Sequence, residues 1–405
     1  MMVNEETLSY IKEHRLEDPR RLALQSRLDG VDIIYALEQI AGWQTARHKL
    51  PVWAATDGIV YPPHISMEQC SSQPTAIYKQ HVAQRLLGHE AHSLVDLTGG
   101  YGVDFSYLAR AFSKAVYVER QEILCKAAQH NFPLLGLDNA EILCADGTEH
   151  LKDISHASMI YLDPARRNDN GGRTYGIADC TPDVISLKDS LIEKADYVMI
   201  KLSPMLDWHK AVSDVGSVAE VHIVSVRNEC KELLLVIDCK RREAESSLPV
   251  FCVNCNSDDS WSSLDIFRAE GGFEAVSAAY ANPAEQLFMY EPNASIMKFG
   301  DFTQVCGKYG VNQIAPNSNL FVSREQIENF PGRRFRISSV SGMNKKELRK
   351  TLGGVDRANI TTRNFPLSVA ELRKRLKLKD GGDTYIFATT LRDGSHALLI
   401  CQSIK

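Results

Sequence analysis

A chain of 405 residues with 44% hydrophobic and 24% charged residues is ordinary globular material, long enough for two or three domains. It has no run of 18 apolar residues, which excludes a transmembrane helix, and its acidic start, Met1-Met2-Val3-Asn4-Glu5-Glu6, lacks the apolar stretch of a secretory signal. The net charge of −5 hides an asymmetry, since residues 331–379 carry 14 Lys/Arg against Glu347, Asp356 and Glu371, leaving the remainder at −16.

Residues 1–60 read as helical. Residues 7–14 form a short amphipathic piece, Asp18-Pro19 sets an N-cap with proline at the first helical position, and Ile33, Ile34, Leu37, Ile40 and Ala41 repeat at helical spacing. Residues 75–87 read as a further helix. Gln69, Thr75, Tyr78 and Lys79 are candidates for a lid there, although plain core packing is the commoner cause of that periodicity.

Residues 94–104, Leu-Val-Asp-Leu-Thr-Gly-Gly-Tyr-Gly-Val-Asp, read as strand, glycine turn and helix. A missing Cβ lets the backbone approach a ligand, and a helix N-terminus offers free N–H groups. A dinucleotide fingerprint would need a third glycine where Phe105 stands. Short β-type runs follow at regular intervals, ending on Glu119, Asp146 and Asp163-Pro164. A fifth run covers 197–202, and a hairpin pairs 220–226 with 233–238. Polar residues at successive strand ends match the rule that open α/β sheets bind ligands beyond their carboxyl ends.

This series resembles the class I S-adenosylmethionine (SAM) methyltransferases over about residues 70–245. The resemblance implies an α/β, Rossmann-like, seven-stranded sheet. It also implies a SAM site in which Asp96, Thr98, Gly99, Gly100 and Gly102 hold the methionine end, Glu119 the ribose and Asp146 the adenine. Asp104 either faces the cofactor or merely favours the helix dipole. Thr98 departs from the family's usual glycine. Asp163-Pro164-Ala165-Arg166 stands where amine-directed methyltransferases carry Asp/Asn-Pro-Pro-Tyr/Phe, and it is closer to the Asp-Pro-Pro-Arg form of several RNA methyltransferases. The resemblance therefore points to Asp163, Pro164 and Arg166 as catalytic, with Arg166 or Arg167 stacking on a base or clamping a phosphate. Cys180, the nearest thiol in sequence, reads as an inert loop residue. Lys201 and Ser203, at the end of the fifth run, are candidate substrate contacts.

Residues 245–285, rich in Ser, Asp, Gly and Ala, read as linker or loop, and the chain to 332 as a small α/β module. Beyond it a β-α-β-α-β-β unit is expected, with Ser368-x-x-Glu371 as a capping box and Arg392-Asp393-Gly394 turning the last hairpin. It resembles the THUMP-like domain that ends some bacterial SAM methyltransferases. The expected organisation is a helical region 1–68, a methyltransferase domain 69–245, a linker and module 246–332, and a basic THUMP-like domain 333–405.

Arg349, Lys350, Arg373 and Arg375 on its two helices are the expected phosphate contacts, so RNA, tRNA or rRNA, is the expected partner. Ten scattered cysteines suit free thiols in a reducing cytoplasm, and Cys252-x-x-Cys255 lacks the second pair that structural zinc needs, so no metal is expected. Three other functions fit less well: methylation of a small molecule or protein, RNA binding without catalysis, and NAD-dependent oxidoreduction.

Overall fold

The computed structural model describes residues 3–24, 29–62, 64–166, 176–240, 247–255, 264–271 and 279–404. Two compact units emerge: Met1–Arg227 with Lys231–Pro249 and Cys255–Leu264, and Asn228–Cys230 with Val250–Asn254 and Asp265–Lys405.

In the first unit, strands β1 (Ser93–Asp96), β2 (Lys114–Glu119), β3 (Ala140–Cys144), β4 (Ala157–Leu162), β5 (Ala195–Leu202), β6 (Val218–Val226) and β7 (Glu229–Asp238) take the order β3-β2-β1-β4-β5-β7-β6. The first five are parallel, whereas β7 runs antiparallel to β5, with Leu202 opposite Leu233. Residues of β4 are buried along its whole length, as a parallel strand covered on both faces requires. The winding reverses between β1 and β4, so their carboxyl ends open into a crevice.

Helices α1 (Glu5–His14), α2 (Ile33–Lys49), α3 (Gln73–Leu87), α4 (Val103–Leu108), α5 (Glu122–Leu134), α6 (Gly147–Asp153), α7 (Val184–Lys194) and α8 (Trp208–Val215) belong to the same unit, with shorter helical turns at Pro19–Leu22, Pro51–Ala55 and His64–Gln69. Asn4 caps α1 through the Thr7 N–H, Asp32 caps α2 through that of Tyr35, and Tyr10, Leu22, Ala36 and Ile40 form a small core between them. The helical region also reaches the glycine turn. Trp53 is buried 4.9 Å from the Tyr101 ring, whose hydroxyl donates to the Val60 carbonyl.

Phe105 explains the absent packing glycine. Its fully buried ring stacks on Phe132 at 5.1 Å and meets Tyr117 edge-on at 5.5 Å, so aromatic filling takes the place of close helix–strand approach under α4.

In the second unit, β10 (Phe288–Pro292), β11 (Asn312–Gln313), β12 (Phe321–Ser323), β13 (Gly332–Ser341), β14 (Asn359–Arg363), β15 (Thr384–Thr390) and β16 (His396–Ile404) form one sheet, ordered β11-β12-β10-β13-β16-β15-β14. Preceding it in sequence are β8 (Leu248–Cys255) and β9 (Leu264–Gly271). The expected linker therefore contains two strands, masked in composition by the Ser- and Asp-rich residues between them. The expected module and THUMP-like unit share their sheet through β10 and β13, where Met289 faces Phe335.

Alternation along β16 builds both sides of this sheet. Ala397, Leu399 and Cys401 pack with Met289, Phe335 and Phe387, whereas Leu398 and Ile400 pack with Ile360, Ile386 and Leu372. Helices α9 (Ala294–Phe299) and α10 (Phe302–Tyr309) follow β10 in sequence, and the latter face is covered by Leu348 and Leu352 of α11 (Lys345–Thr351) and its flank, and by Leu372 and Leu376 of α12 (Val369–Leu376).

Because Phe105 fills the space beneath α4, Phe105→Ala is expected to lower unfolding free energy by about 3–5 kcal/mol. Urea denaturation measures this; a loss under ~1 kcal/mol would mean that the three rings do not anchor the glycine turn.

Candidate functional site

The end of β1 is shaped by steric necessity. A Cβ on Gly99 would sit 2.3 Å from the Tyr117 ring, and one on Gly147 2.0 Å from the Leu97 carbonyl oxygen. Gly102 takes φ +84 with Phe132 closing in at 2.7 Å from a would-be Cβ. Gly147, three residues past the end of β3 at Cys144, was missed by sequence reading, because only the fold brings Leu97 against it.

A cavity of about 550 Å³ opens at these strand ends, within the range usual for small-molecule sites. Its lining includes Asp96, Thr98, Gly99, Gly100, Gly102, Asp104, Glu119, Asp146 and Asp163. The strand-end acids and glycines thus share one crevice.

Each acid is held differently. Glu119 accepts the Gly100 N–H on Oε2 at 2.9 Å and the Gln121 N–H on Oε1 at 2.8 Å, tying the glycine turn to β2. One bond per oxygen leaves lone pairs for a diol. Asp146 caps α6, accepting the Thr148 and Glu149 N–H groups and the Thr148 hydroxyl, all on Oδ1, so Oδ2 takes none of these bonds. The Thr148 hydroxyl bond, ahead of the opposing burial, holds its carboxyl below the ordinary range. Asp96 is fully buried and accepts the Thr98 N–H at 2.9 Å. Burial, reinforced by the charges of Asp104 and Asp163, pushes its carboxyl well above the ordinary carboxylate range.

Thr98 is the joint of the site. Its hydroxyl accepts the Asp163 N–H at 2.6 Å and faces an Asp96 oxygen at 3.4 Å, so the family's usual glycine is replaced by a side chain that links the β1 and β4 tips. Asp163 is part-exposed and paired with the Lys201 ammonium. Pro164 is buried and does not line the cavity. Ala165–Arg166 pairs antiparallel with Cys180–Thr181, while the Arg166 side chain and Arg167 lie outside the described residues. Cys180 is buried in that pairing, rather than in a loop, and does not line the cavity. Cys70 does, but burial pushes its thiol up to about 11, so it is a poor nucleophile at neutral pH.

Two expectations change. Lys201 does not contact the crevice as a free cation, because its ammonium is spent on Asp163 and it is absent from the lining. Burial would lower its pKa, yet Asp163, Asp104 and Glu232 outweigh burial and raise it. Asp104 is neither a plain dipole acid nor an open ligand. Its carboxylate accepts Lys79 at 3.0 Å and the hydroxyls of Ser71 and Tyr161 at 2.7 Å each. Among the lid candidates, Thr75, Tyr78 and Lys79 are buried, while Gln69 lines the cavity.

In the second unit, Arg349, Lys350 and Arg375 are exposed on α11 and α12. Arg373 turns inward instead, donating to the Ala358 carbonyl at 3.0 Å and to Asp380 at 2.6 Å. Arg333 and Arg363 similarly pair with the buried Glu291.

The raised Asp96 carboxyl makes stability pH-dependent in a definite direction. A buried acid that stays protonated in the fold but ionises in the open chain loses stability as pH climbs from about 4 toward its raised pKa. Asp96→Asn, which has no proton to lose, is expected to gain stability over the parent across that rise and to match it below pH ~4. Thermal melts from pH 4 to 8 give the comparison, and parallel curves would contradict it.

A structure of a candidate methyltransferase from Porphyromonas gingivalis W83 matches over 100% of both chains, at 32% identity and a TM-score of 0.85. A SAM-dependent methyltransferase from Agrobacterium tumefaciens is 13% identical over 49% of this chain and 60% of its own, at a TM-score of 0.31. An rRNA methylase from Streptococcus thermophilus is 14% identical over 40% of this chain and 93% of its own, also at 0.31. Likeness at that level carries no argument. A ferredoxin-like domain family matches residues 288–331 and a THUMP domain-like family residues 332–403. No curated protein matches. By its full-length identity to the Porphyromonas protein, the chain belongs to the class I SAM-dependent methyltransferase family, in the branch that ends in a THUMP-like domain.

Proposed function

We propose that this protein transfers a methyl group from SAM to an amine on an RNA base, in tRNA or rRNA. The carrying observation is that the four acids at the tips of β1 to β4, Asp96, Glu119, Asp146 and Asp163, line one cavity with the glycine turn. The residues suit the cofactor. The spare lone pairs of Glu119 match ribose hydroxyls, Asp146 Oδ2 matches the adenine amino group, and Asp96 with the turn at Gly99, Gly100 and Gly102 matches the methionine end. Bound SAM would supply an activated methyl with its leaving group already attached.

The chain's own task is orientation. Thr98 fixes the Asp163 backbone, and the ion pair with Lys201 holds the Asp163 carboxylate in place, so that it accepts a hydrogen bond from an incoming amine. Pro164 stiffens the turn, and Arg166 is the candidate for stacking on a base. The poor nucleophilicity of Cys70 favours an amine over a pyrimidine carbon, whose methylation needs a reactive thiolate. Exposed Arg349, Lys350 and Arg375 would take phosphates; Arg373 would steady the α12 end beneath them.

Tritium transfer from labelled SAM to bulk RNA is the decisive measurement. Asp163→Asn is expected to lower the transfer rate about 10²–10³-fold while leaving SAM binding by calorimetry unchanged. Transfer to small molecules or protein alone would overturn the RNA reading, and absence of SAM binding would overturn the enzyme reading.

RNA affinity is also expected to fall log-linearly with salt, and Lys350→Gln with Arg375→Gln should lower that slope by about 0.7–0.9 for each phosphate released. An unchanged slope would remove the two basic helices from the interface.

A further inference from the structure

The helical region holds a second cleft, of about 360 Å³, lined by Arg15, Trp43, Arg47, Pro51, Ala54, Ala55 and Asp57. Arg15 ends α1, and its carbonyl is fixed by the Gln44 amide at 2.9 Å. Trp43 and Arg47 lie one turn apart on α2, and the Trp43 indole N–H is anchored on the Ala54 carbonyl at 3.0 Å. Both guanidinium carbons lie over this one indole, at 4.6 Å for Arg15 and 5.1 Å for Arg47.

Two like charges are therefore held within roughly a Debye length of each other, ~10 Å at 0.1 M salt, where screening is incomplete. Among the described residues, neither guanidinium is paired with a carboxylate. Asp57, at the rim, is exposed and forms no ion pair with them. Contact with the indole leaves guanidinium N–H groups that suit oxyanions with several acceptor oxygens. The indole is already covered, so the cleft is not built to stack a base.

We propose that Arg15, Trp43 and Arg47 form a phosphate-binding site, taking phosphates of the RNA backbone. The RNA source rests on the function proposed above, whereas the phosphate chemistry does not. Free polyphosphate would present the same oxygens, and the experiment separates the two.

The full-length protein is titrated with bulk tRNA across a salt series, and separately with inorganic tripolyphosphate at constant ionic strength while tryptophan fluorescence is followed. The double variant Arg15→Gln with Arg47→Gln should lower the tRNA salt slope by about 1.4, at ~0.7 for each single-strand phosphate, with SAM affinity unchanged. It should also abolish a tripolyphosphate-induced fluorescence change that Trp43→Phe removes too. If the parent binds tRNA and the double variant keeps the parent slope, the RNA site is overturned while the RNA substrate stands. If no tRNA binds but the fluorescence change occurs and depends on both arginines, the phosphate site stands with a free polyphosphate and the RNA reading falls. No change with either ligand, or equal binding of poly-glutamate, overturns the phosphate assignment. Arg15→Lys with Arg47→Lys, which keeps charge but loses the fork, guards against misfolding by retaining part of the slope.

Discussion

A fully buried ammonium organises the first unit. Lys79 has no contact with solvent and lies 3.0 Å from Asp104 and 2.7 Å from Glu232. A lone charge at such depth would cost far more than the fold can spare, so both partners are obligatory. Burial raises both carboxyls, but the two lysines, Lys79 first and Lys201 second, outweigh it at Asp104 and not at Glu232. Asp104 thus gives up its proton more readily than Glu232 does. Since Lys79 belongs to α3, Asp104 to α4, Glu232 to β7 and the Tyr161 donor to β4, one cluster sets the spacing of four elements around the crevice.

From that spacing the site follows. Asp104 sits in the first turn of α4, directly after the glycine turn, so fixing it fixes Gly99 to Gly102 relative to β4. Thr98 closes the same circuit from above, between Asp96 and Asp163. Lys201 and Asp163 extend it to the rim. The flexible part of the motif, three glycines in four positions, is held at both ends by side chains that are not themselves part of the turn.

Much of this was readable from residues. Strand tips ending on Glu119, Asp146 and Asp163 announced themselves because strand period and carboxylate recur together, and Ser368 with Glu371 does form a capping box. Contacts made across long sequence gaps were not readable. Lys79 meets Glu232 across 153 positions and Lys201 meets Asp163 across 38, so nothing local marks either lysine as paired. Arg373 looked like its neighbours on α12, yet it alone of the four expected contacts caps the Ala358 carbonyl. The strands at 248–255 and 264–271 were hidden because composition averages over a window, while a strand needs only its own few residues.

Charge also explains why such a chain would need basic surfaces away from its crevice. The cavity wall is rich in acids, with Asp104, Glu119, Asp146, Asp163 and Asp183 against Arg120, beside the protonated Asp96. That field suits a sulfonium nucleoside and opposes a phosphate chain, whose approach costs Coulomb energy at every step. Affinity for a polyanion must then come from cations far enough away not to neutralise the acids, within reach of the same strand. Exposed Arg349, Lys350 and Arg375, and the two arginines over Trp43, are cations outside the cavity lining.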